Sequence, residues 1–230
     1  MCGRFSLGAA ADTLAAQFDL ADRPEWAPRY NLAPTQDTLT VLRLSPEGRR
    51  ECRRMRWGLI PSWAKDPAIG NRLINARAET VALKPAFRQA IRERRCLIVA
   101  DAFYEWEAQG RRKQPWCIRR KDGAPFAFAG LWDRWHDPQG REVESCTIIT
   151  TAASDLIHPF HHRMPVILLP VNYDPWLDVA ATDPDRILAL LQPVATEEFT
   201  AYPVSPLVNN PANDSPRCIE SLPSTEASGP

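Results

Sequence analysis

Prolines limit the fold of this chain more than any other feature, since 22 of its 230 residues are proline and they are spread along its whole length. Proline fixes φ and has no backbone N–H to donate, so it interrupts helices and the interior of sheets. We therefore expect no long uninterrupted helices, and we expect short strands with many loops between them. The hydrophobic content of 44% is still sufficient for one domain with a real core.

Periodicity predicts one short amphipathic helix at 8–20, where Leu14, Ala15 and Phe18 fall at helical spacing. Strands are predicted at 38–44, 50–59, 96–106, 115–119, 126–135, 143–151, 166–169 and 200–204, helices near 80–94, 174–179 and 184–191, and loops at 21–36 and 158–165. This pattern indicates an α+β fold. We expect a single domain in which a mainly antiparallel β-sheet curls into a barrel-like core with a few peripheral helices. We assign the domain to residues 1–222 and expect 223–230 to be a disordered tail.

The charges of the chain are unevenly distributed although they sum to zero. Residues 43–95 contain 14 Lys or Arg against 5 Asp or Glu, whereas residues 170–230 contain 2 against 9. The basic middle is compatible with a nucleic-acid-binding face. It is equally compatible with a solvated surface that pairs with the acidic C-terminal part, and charge alone does not decide between the two.

The six cysteines form no Cys-x-x-Cys pair, and the four histidines complete no zinc pattern, so we expect no metal and no cofactor. The N-terminus lacks the basic and apolar regions of a signal peptide, and no apolar run is as long as a membrane span. A reducing cytoplasm is the simplest compartment, and there Cys2 stays a free thiol.

The cysteine directly after the initiator methionine is a special position. Met1 can be removed before a small residue, and the mature chain then begins with an α-amine and a thiol on adjacent carbons. Their reference pKa values are about 8 and about 8.5, so both are partly deprotonated near neutral pH. Such a 1,2-aminothiol condenses with aldehydes to a five-membered thiazolidine. A cysteine at this position is also compatible with an incidental thiol.

Three further segments place reactive side chains where packing does not require them. Asn75 lies with Arg77 and Glu79 in a polar cluster that is also compatible with a helix cap and surface charges. Glu105 follows a very apolar run and stands between aromatic residues, which raises the pKa of a carboxyl and suits it to carry protons, unless it faces water at a strand end. The run 161–165 (HHRMP) brings two histidines and an arginine before an apolar strand, or forms a pH-sensitive surface loop.

Seven motifs occur in order between residues 2 and 165, within a resemblance that spans roughly residues 2–220. They are CGRF at 2–5, YNLAPT at 30–35, WGLIP at 57–61, NARAE at 75–79, FYEW at 103–106, TIITT at 147–151 and HHRMP at 161–165. Together they resemble the SRAP family, the SOS response-associated peptidases.

The resemblance implies a protein that binds single-stranded DNA and captures abasic sites through a stable thiazolidine crosslink to its mature N-terminal cysteine. Cys2 is then the nucleophile, surrounded by Asn75, Glu105 and His161, with the histidine two residues before Arg163 taking the family's position. The DNA-contacting residues that the resemblance implies are Arg4, Asn31, Trp57, Trp63, Arg77, Thr150 and Arg163, of which the arginines hold phosphates. We expect a cytoplasmic monomer, without a membrane partner, that associates with the nucleoid when bound to DNA and shields lesions during the damage response.

Two other functions stay open at this point. The Cys, His and Glu set is also typical of a cysteine-type peptidase, including one that removes its own Met1. A noncatalytic nucleic-acid-binding module that uses the basic segment and the tryptophans would need no reactive cysteine at all.

Overall fold

The computed structural model describes residues 2–181, 183–194 and 196–223, which form thirteen strands and four α-helices. The strands are β1 Phe5–Leu7, β2 Arg29–Leu32, β3 Asp37–Leu42, β4 Glu51–Trp57, β5 Asn75–Arg77, β6 Arg95–Ala100, β7 Ala102–Gln109, β8 Arg112–Arg120, β9 Phe126–His136, β10 Glu142–Ala152, β11 Arg163–Pro165, β12 Ile167–Leu168 and β13 Phe199–Pro203. The helices are α1 Ala11–Phe18, α2 Ala90–Glu93, α3 Tyr173–Leu177 and α4 Pro184–Ala189. Among the described residues no α-helix is longer than eight residues, as the proline distribution predicts.

Five strands close into a barrel. β3 pairs with β4 and β6, β6 pairs with β9, and β9 pairs with β10, all antiparallel. The ring closes because β10 also pairs with β4, in a parallel register that sets Cys146 opposite Trp57. The predicted α+β fold with a barrel-like, mainly antiparallel core is confirmed.

A second sheet, in the order β13-β8-β7-β1-β2, packs against the barrel. Phe5 of β1 and Phe103 of β7 are opposite each other in this sheet, and both are fully buried in the same core as the barrel residues. The Phe5 ring lies 5.0 Å from the ring of Trp57 and 5.8 Å from that of Phe128, centroid to centroid. The N-terminal strand is thus held by β2 and β7 within the second sheet and packs against the barrel, which fixes the position of the residues that precede it.

The predicted strand at 96–106 is two strands, and the chain passes from the barrel to the second sheet between them. The break is at Asp101, whose carboxylate accepts hydrogen bonds from the backbone N–H of Gly8 (2.6 Å) and Ala9 (3.0 Å) and from the Ser6 hydroxyl. A charged acceptor satisfied by three donors from another segment stabilises this crossing point.

Other differences from the expected elements are local. The helix expected at 80–94 is mostly a series of turns that ends in the short α2, and the segments expected as loops contain β2 and β11. The expected disordered tail lies outside the described residues except for its first residue, Pro223. No helix in the described part of the chain is long and apolar enough to cross a membrane.

Candidate functional site

Cys2 lies just before β1 and is fully buried. Burial raises the pKa of its thiol, and the nearby Glu105 carboxylate raises it further, while the backbone N–H of Arg4 acts in the opposite direction. Since a low-dielectric environment disfavours a charged sulfur, the Cys2 thiol is neutral near pH 7 in this conformation.

Glu105 lies within β7, not beyond a strand end, and only 4% of its surface is exposed. β1 and β7 are antiparallel with Phe5 opposite Phe103, and the Tyr104 N–H continues the ladder to the Arg4 carbonyl at 3.0 Å. One more step in this register brings Glu105 level with Gly3, beside Cys2. Burial raises the pKa of the Glu105 carboxyl, so it retains a proton to higher pH than an exposed glutamate.

Asn75 begins β5, a short strand that pairs in parallel with β10. Its side-chain Nδ2 donates a hydrogen bond to the Cys2 carbonyl oxygen at 2.8 Å. Its Oδ1 is buried, with no hydrogen-bond partner in the described part of the chain. One end of the amide therefore fixes the N-terminal segment, and the other end can accept a proton donor from a ligand.

His161 ends the turn that leads into β11. Its Nδ1 accepts the backbone N–H of Arg163 at 2.9 Å, so the proton of the neutral ring is on Nε2. Burial lowers the pKa of the imidazole, and the charges of His162 and Arg163 lower it further. The ring is consequently a neutral donor through Nε2 near pH 7.

Strand β10 connects these elements. At Thr150 it pairs with Arg77 of β5 on one side and with Pro165 of β11 on the other. Thr150 is fully buried, and its hydroxyl donates to the Ala76 carbonyl oxygen at 3.2 Å. The strand carrying Asn75 and the strand following His161 are thus neighbours of the same segment of β10.

Arg163 is held by several acceptors on this rim. Its guanidinium binds Glu79 in a bidentate ion pair (2.5 and 3.0 Å) and donates to the Thr150 carbonyl oxygen at 2.6 Å. The Arg163 side chain is only 11% exposed, whereas Glu79 is about half exposed. This pairing holds the pKa of Glu79 below its usual range. The Glu79 carboxylate therefore occupies the two guanidinium nitrogens of Arg163 that could otherwise bind a phosphate.

A second set of contacts joins Arg4, close to Cys2 in the chain, to Asn31 and the C-terminal segment 204–214. Arg4 Nη1 donates to Asn31 Oδ1 at 2.8 Å and to the Val208 carbonyl oxygen at 2.6 Å. Asn31 is fully buried, and its Nδ2 donates to the carbonyl oxygens of Val208, Asn210 and Asn213. Asn31 therefore connects the C-terminal segment to Arg4.

The profile of one protein family, described as SOS response associated peptidase (SRAP), matches residues 1–211. The chain belongs to the SRAP family. It is 46% identical over 225 residues to the abasic site processing protein YoqW of Bacillus subtilis, covering 96% of this chain and all of that protein. It is 30% identical over 276 residues to the abasic site processing protein HMCES of Xenopus tropicalis, covering all of this chain and 81% of that protein. A crystal structure of a protein from Bacteroides thetaiotaomicron, 29% identical, superposes with a TM-score of 0.86 and covers 96% of this chain and all of the other.

Of the four residues that the SRAP resemblance implies for catalysis, Asn75 and Glu105 lie beside Cys2, and His161 lies in the turn before β11, which pairs with the same segment of β10 as the strand of Asn75. The seven expected DNA contacts differ in their exposure. Arg77 and Trp63 are exposed, Trp63 by 57%, and Arg4 and Arg163 are partly buried. Asn31, Thr150 and Trp57 are buried, which leaves little side-chain surface for a direct contact in this conformation.

Trp57 is the largest of these buried side chains. It is only 1% exposed, its ring packs on Phe5, and its Nε1 donates to the Ile74 carbonyl oxygen at 2.9 Å. Because both faces are enclosed by protein, the indole offers no surface on which a base could stack. Its ring instead packs against Phe5 and supports β1.

The sequence reasoning missed Trp116 and Phe160 at the rim of the site. Trp116 is directly opposite Glu105 in the β7–β8 ladder, and Phe160 immediately precedes His161. The only sequence signal for them was their neighbourhood to residues already selected. In the described residues no cluster of His, Cys, Asp or Glu could hold a metal ion.

Proposed function

We propose that this protein captures abasic sites in single-stranded DNA as a covalent thiazolidine on the mature N-terminal Cys2. The observation that carries the proposal is the buried Cys2, whose carbonyl is bound by Asn75 and whose thiol lies within electrostatic range of Glu105. The names of YoqW and HMCES as abasic site processing proteins support the same substrate.

The first step opens the abasic sugar, which is mostly a closed hemiacetal. The Glu105 carboxylate takes the proton of the anomeric hydroxyl and delivers it to the ring oxygen as the bond between C1′ and that oxygen breaks, so C1′ becomes an aldehyde. The neutral His161 ring stabilises the departing ring oxygen by a hydrogen bond from Nε2. The raised pKa of the Glu105 carboxyl suits proton transfer near neutral pH, and the lowered pKa of His161 keeps its ring neutral.

The α-amine of Cys2 then attacks C1′ and forms a carbinolamine, which loses water to give an imine. Glu105 delivers the proton that the departing hydroxyl needs. The thiol adds to the imine carbon, its proton passes to the nitrogen, and the ring closes. The net reaction joins an aldehyde and an aminothiol with loss of one water. Asn75 Oδ1 is placed to accept a hydrogen bond from the amine, which orients it without titrating.

DNA binding rests on the basic rim and on the exposed Trp63. Arg77 is free to approach a phosphate, and a base can stack on the Trp63 indole for about 1–3 kcal/mol. Affinity should therefore fall with salt, with a slope of about −0.7 per phosphate contacted on a single strand. We propose that the protein acts as a monomer in the cytoplasm and shields the lesion during the damage response.

The proposal is tested by incubating the mature protein with abasic single-stranded DNA and looking for a heat-stable shifted band. Cys2→Ala should give no such band, and Cys2→Ser should give an adduct that survives only after borohydride reduction of the imine. Cys52→Ala, which removes another thiol remote from this site, is the matched control and should crosslink like the parent protein. A wild-type protein without a heat-stable band, or a Cys2→Ala variant with one, refutes the proposal.

Glu105→Gln should slow crosslinking by about 10²-fold, the lower range for loss of a general acid–base group, while DNA affinity stays within a few-fold. A large loss of affinity at an unchanged rate would contradict the role given to Glu105.

A second candidate is self-processing, in which the same Cys, His and Glu set removes Met1 as a cysteine-type hydrolase. It is favoured by the presence of Glu105 and His161 beside a cysteine that follows the initiator methionine. Protein made without methionine aminopeptidase and weighed by mass spectrometry separates the two routes. Persistence of Met1 there refutes self-processing and leaves the crosslinking proposal intact.

A further inference from the structure

Two aromatic side chains connect the strand that faces Glu105 to the turn that carries His161. The rings of Trp116 and Phe160 lie 5.0 Å apart, centroid to centroid, at an angle of 34°. Trp116 is the cross-strand partner of Glu105, so both side chains are on the same face of the sheet. Phe160 is the residue before His161. This contact therefore connects a neighbour of Glu105 with a neighbour of His161, although the two residues come from distant parts of the chain.

The Trp116 end of this contact is rigid. Trp116 belongs to β8, which is paired with β7 on one side and with β13 on the other. Its indole Nε1 donates to Glu107 Oε2 at 3.1 Å, which fixes the rotation of the ring. The indole is thus a fixed surface next to Glu105.

The Phe160 end lies in the turn that precedes β11. The backbone N–H groups of Phe160 and His161 both donate to the carbonyl oxygen of the buried Ile157, at 2.9 and 3.1 Å. The His162 carbonyl oxygen also accepts the backbone N–H of Ala153 at 3.1 Å, so the backbone of the turn is tied to the segment that follows β10. The half-buried Phe160 ring adds a side-chain contact between this turn and Trp116 of the second sheet.

We propose that the Trp116–Phe160 pair is a positioning device that sets the imidazole of His161 relative to the Glu105 carboxyl. This inference rests on the proposed function, because the aromatic pair acts only by orienting the groups that carry out the proposed reaction. Misplacing a catalytic group by about 1 Å can cost up to about 10²-fold in rate. We therefore expect loss of this aromatic contact to change the rate of the reaction more than the stability of the fold.

The test is a double-mutant cycle on the rate of crosslinking. Phe160→Leu should slow crosslinking by about tenfold in the wild-type background and by less than twofold in a His161→Ala background, because the ring acts through the imidazole. Phe160→Tyr, which keeps the aromatic contact, should restore the rate to within twofold. Phe199→Leu is the matched control, since it removes an equally close aromatic contact (5.2 Å to Phe126) remote from this rim and should leave the rate unchanged.

Binding to DNA that carries a tetrahydrofuran analogue, which has no aldehyde, separates positioning from base stacking. We expect Phe160→Leu to bind this DNA within twofold of the wild type. A tenfold loss of affinity, or equal slowing in both backgrounds of the cycle, overturns the proposal and makes the pair a stacking surface or a purely structural contact.

An NMR titration of His161 tests the positioning of the imidazole without using crosslinking as the readout. With His162 and Arg163 unchanged, loosening the turn in Phe160→Leu should move the lowered pKa of His161 back towards about 6.5, the value of a free imidazole. An unchanged titration overturns the inference even if crosslinking occurs, whereas a shifted titration without any crosslink would refute the proposed function alone.

Discussion

Asn31 is the residue for which a DNA-contacting role and a structural role predict the most different outcomes. The family resemblance implies that it contacts DNA, but it is fully buried and makes four hydrogen bonds. Three of these go to carbonyl oxygens of the C-terminal segment 204–214, and the fourth is accepted from Arg4. We predict that Asn31→Ala destabilises the fold strongly and weakens DNA binding only through the displacement of Arg4.

The size of the effect follows from the bonds that are lost. The two amide protons, shared among three carbonyls, amount to two neutral hydrogen bonds of about 0.5–1.5 kcal/mol each, and the bond from the Arg4 guanidinium is worth about 1.5–3 kcal/mol. Arg4 keeps its bond to the Val208 carbonyl. Asn31→Ala should therefore cost about 2.5–6 kcal/mol of unfolding free energy, which corresponds to a Tm lower by about 5–24 °C in a chain of this size.

Urea denaturation gives the stability, and fluorescence anisotropy with single-stranded DNA, measured well below the Tm of the variant, gives the affinity. Asn71→Ala is the control, since Asn71 is exposed and accepts one hydrogen bond from Arg56. It should change stability by less than about 0.5 kcal/mol. If Asn31→Ala proves as stable as this control and loses more than tenfold in DNA affinity, Asn31 faces DNA and the structural interpretation is refuted.

Three further predictions concern the rim and the buried carboxyl. Glu79→Gln should raise DNA affinity a few-fold, because the Arg163 guanidinium becomes available to a phosphate, and it should steepen the slope of log affinity against log salt concentration by about 0.7. Anisotropy titrations at several NaCl concentrations measure this slope, and an unchanged slope would count against the prediction. Folding raises the pKa of Glu105, so the charged carboxylate lowers the stability of the fold at pH values above the unfolded pKa of about 4.5. Glu105→Gln should therefore have a higher Tm than wild type at pH 8 and the same Tm at pH 4. A Tm difference that does not change with pH would exclude this linkage. Trp63→Ala should weaken binding of single-stranded DNA by about 1–3 kcal/mol in a filter-binding titration, while stability stays within about 0.5 kcal/mol; unchanged binding would rule out stacking at this indole.

The long elements of the fold could be predicted because their signals are local. The hairpin of β9 and β10 has alternating or continuously apolar strands on either side of the turn at 137–140, and it supplies two of the five barrel strands. The strands β1, β5 and β11 could not be predicted, since each has three residues and no periodicity can be read from three positions. They form because longer strands offer them free edges, which is a tertiary effect.

The sequence predicts which residues form the candidate site but not their exposure. The motifs that contain Cys2, Asn75, Glu105 and His161 point to reactive side chains by residue type, and the family resemblance assigns them to one site. Whether an indole such as that of Trp57 faces DNA or the core depends on which strand packs over it, and here β1 covers it. Sequence reasoning therefore names the participants and leaves their orientation to the fold.

The burial of Cys2 determines the order of the proposed reaction. An exposed cysteine would ionise near pH 8.5 and compete with the amine for the aldehyde, giving a reversible hemithioacetal. Burial and the Glu105 carboxylate together keep the sulfur protonated, so the thiol is the weaker nucleophile of the two until the amine has reacted. Once the imine forms, a cationic centre next to the sulfur favours thiolate formation and ring closure. The environment that makes Cys2 a poor free nucleophile thus makes it an effective second one, and neither step can begin while Met1 blocks the amine.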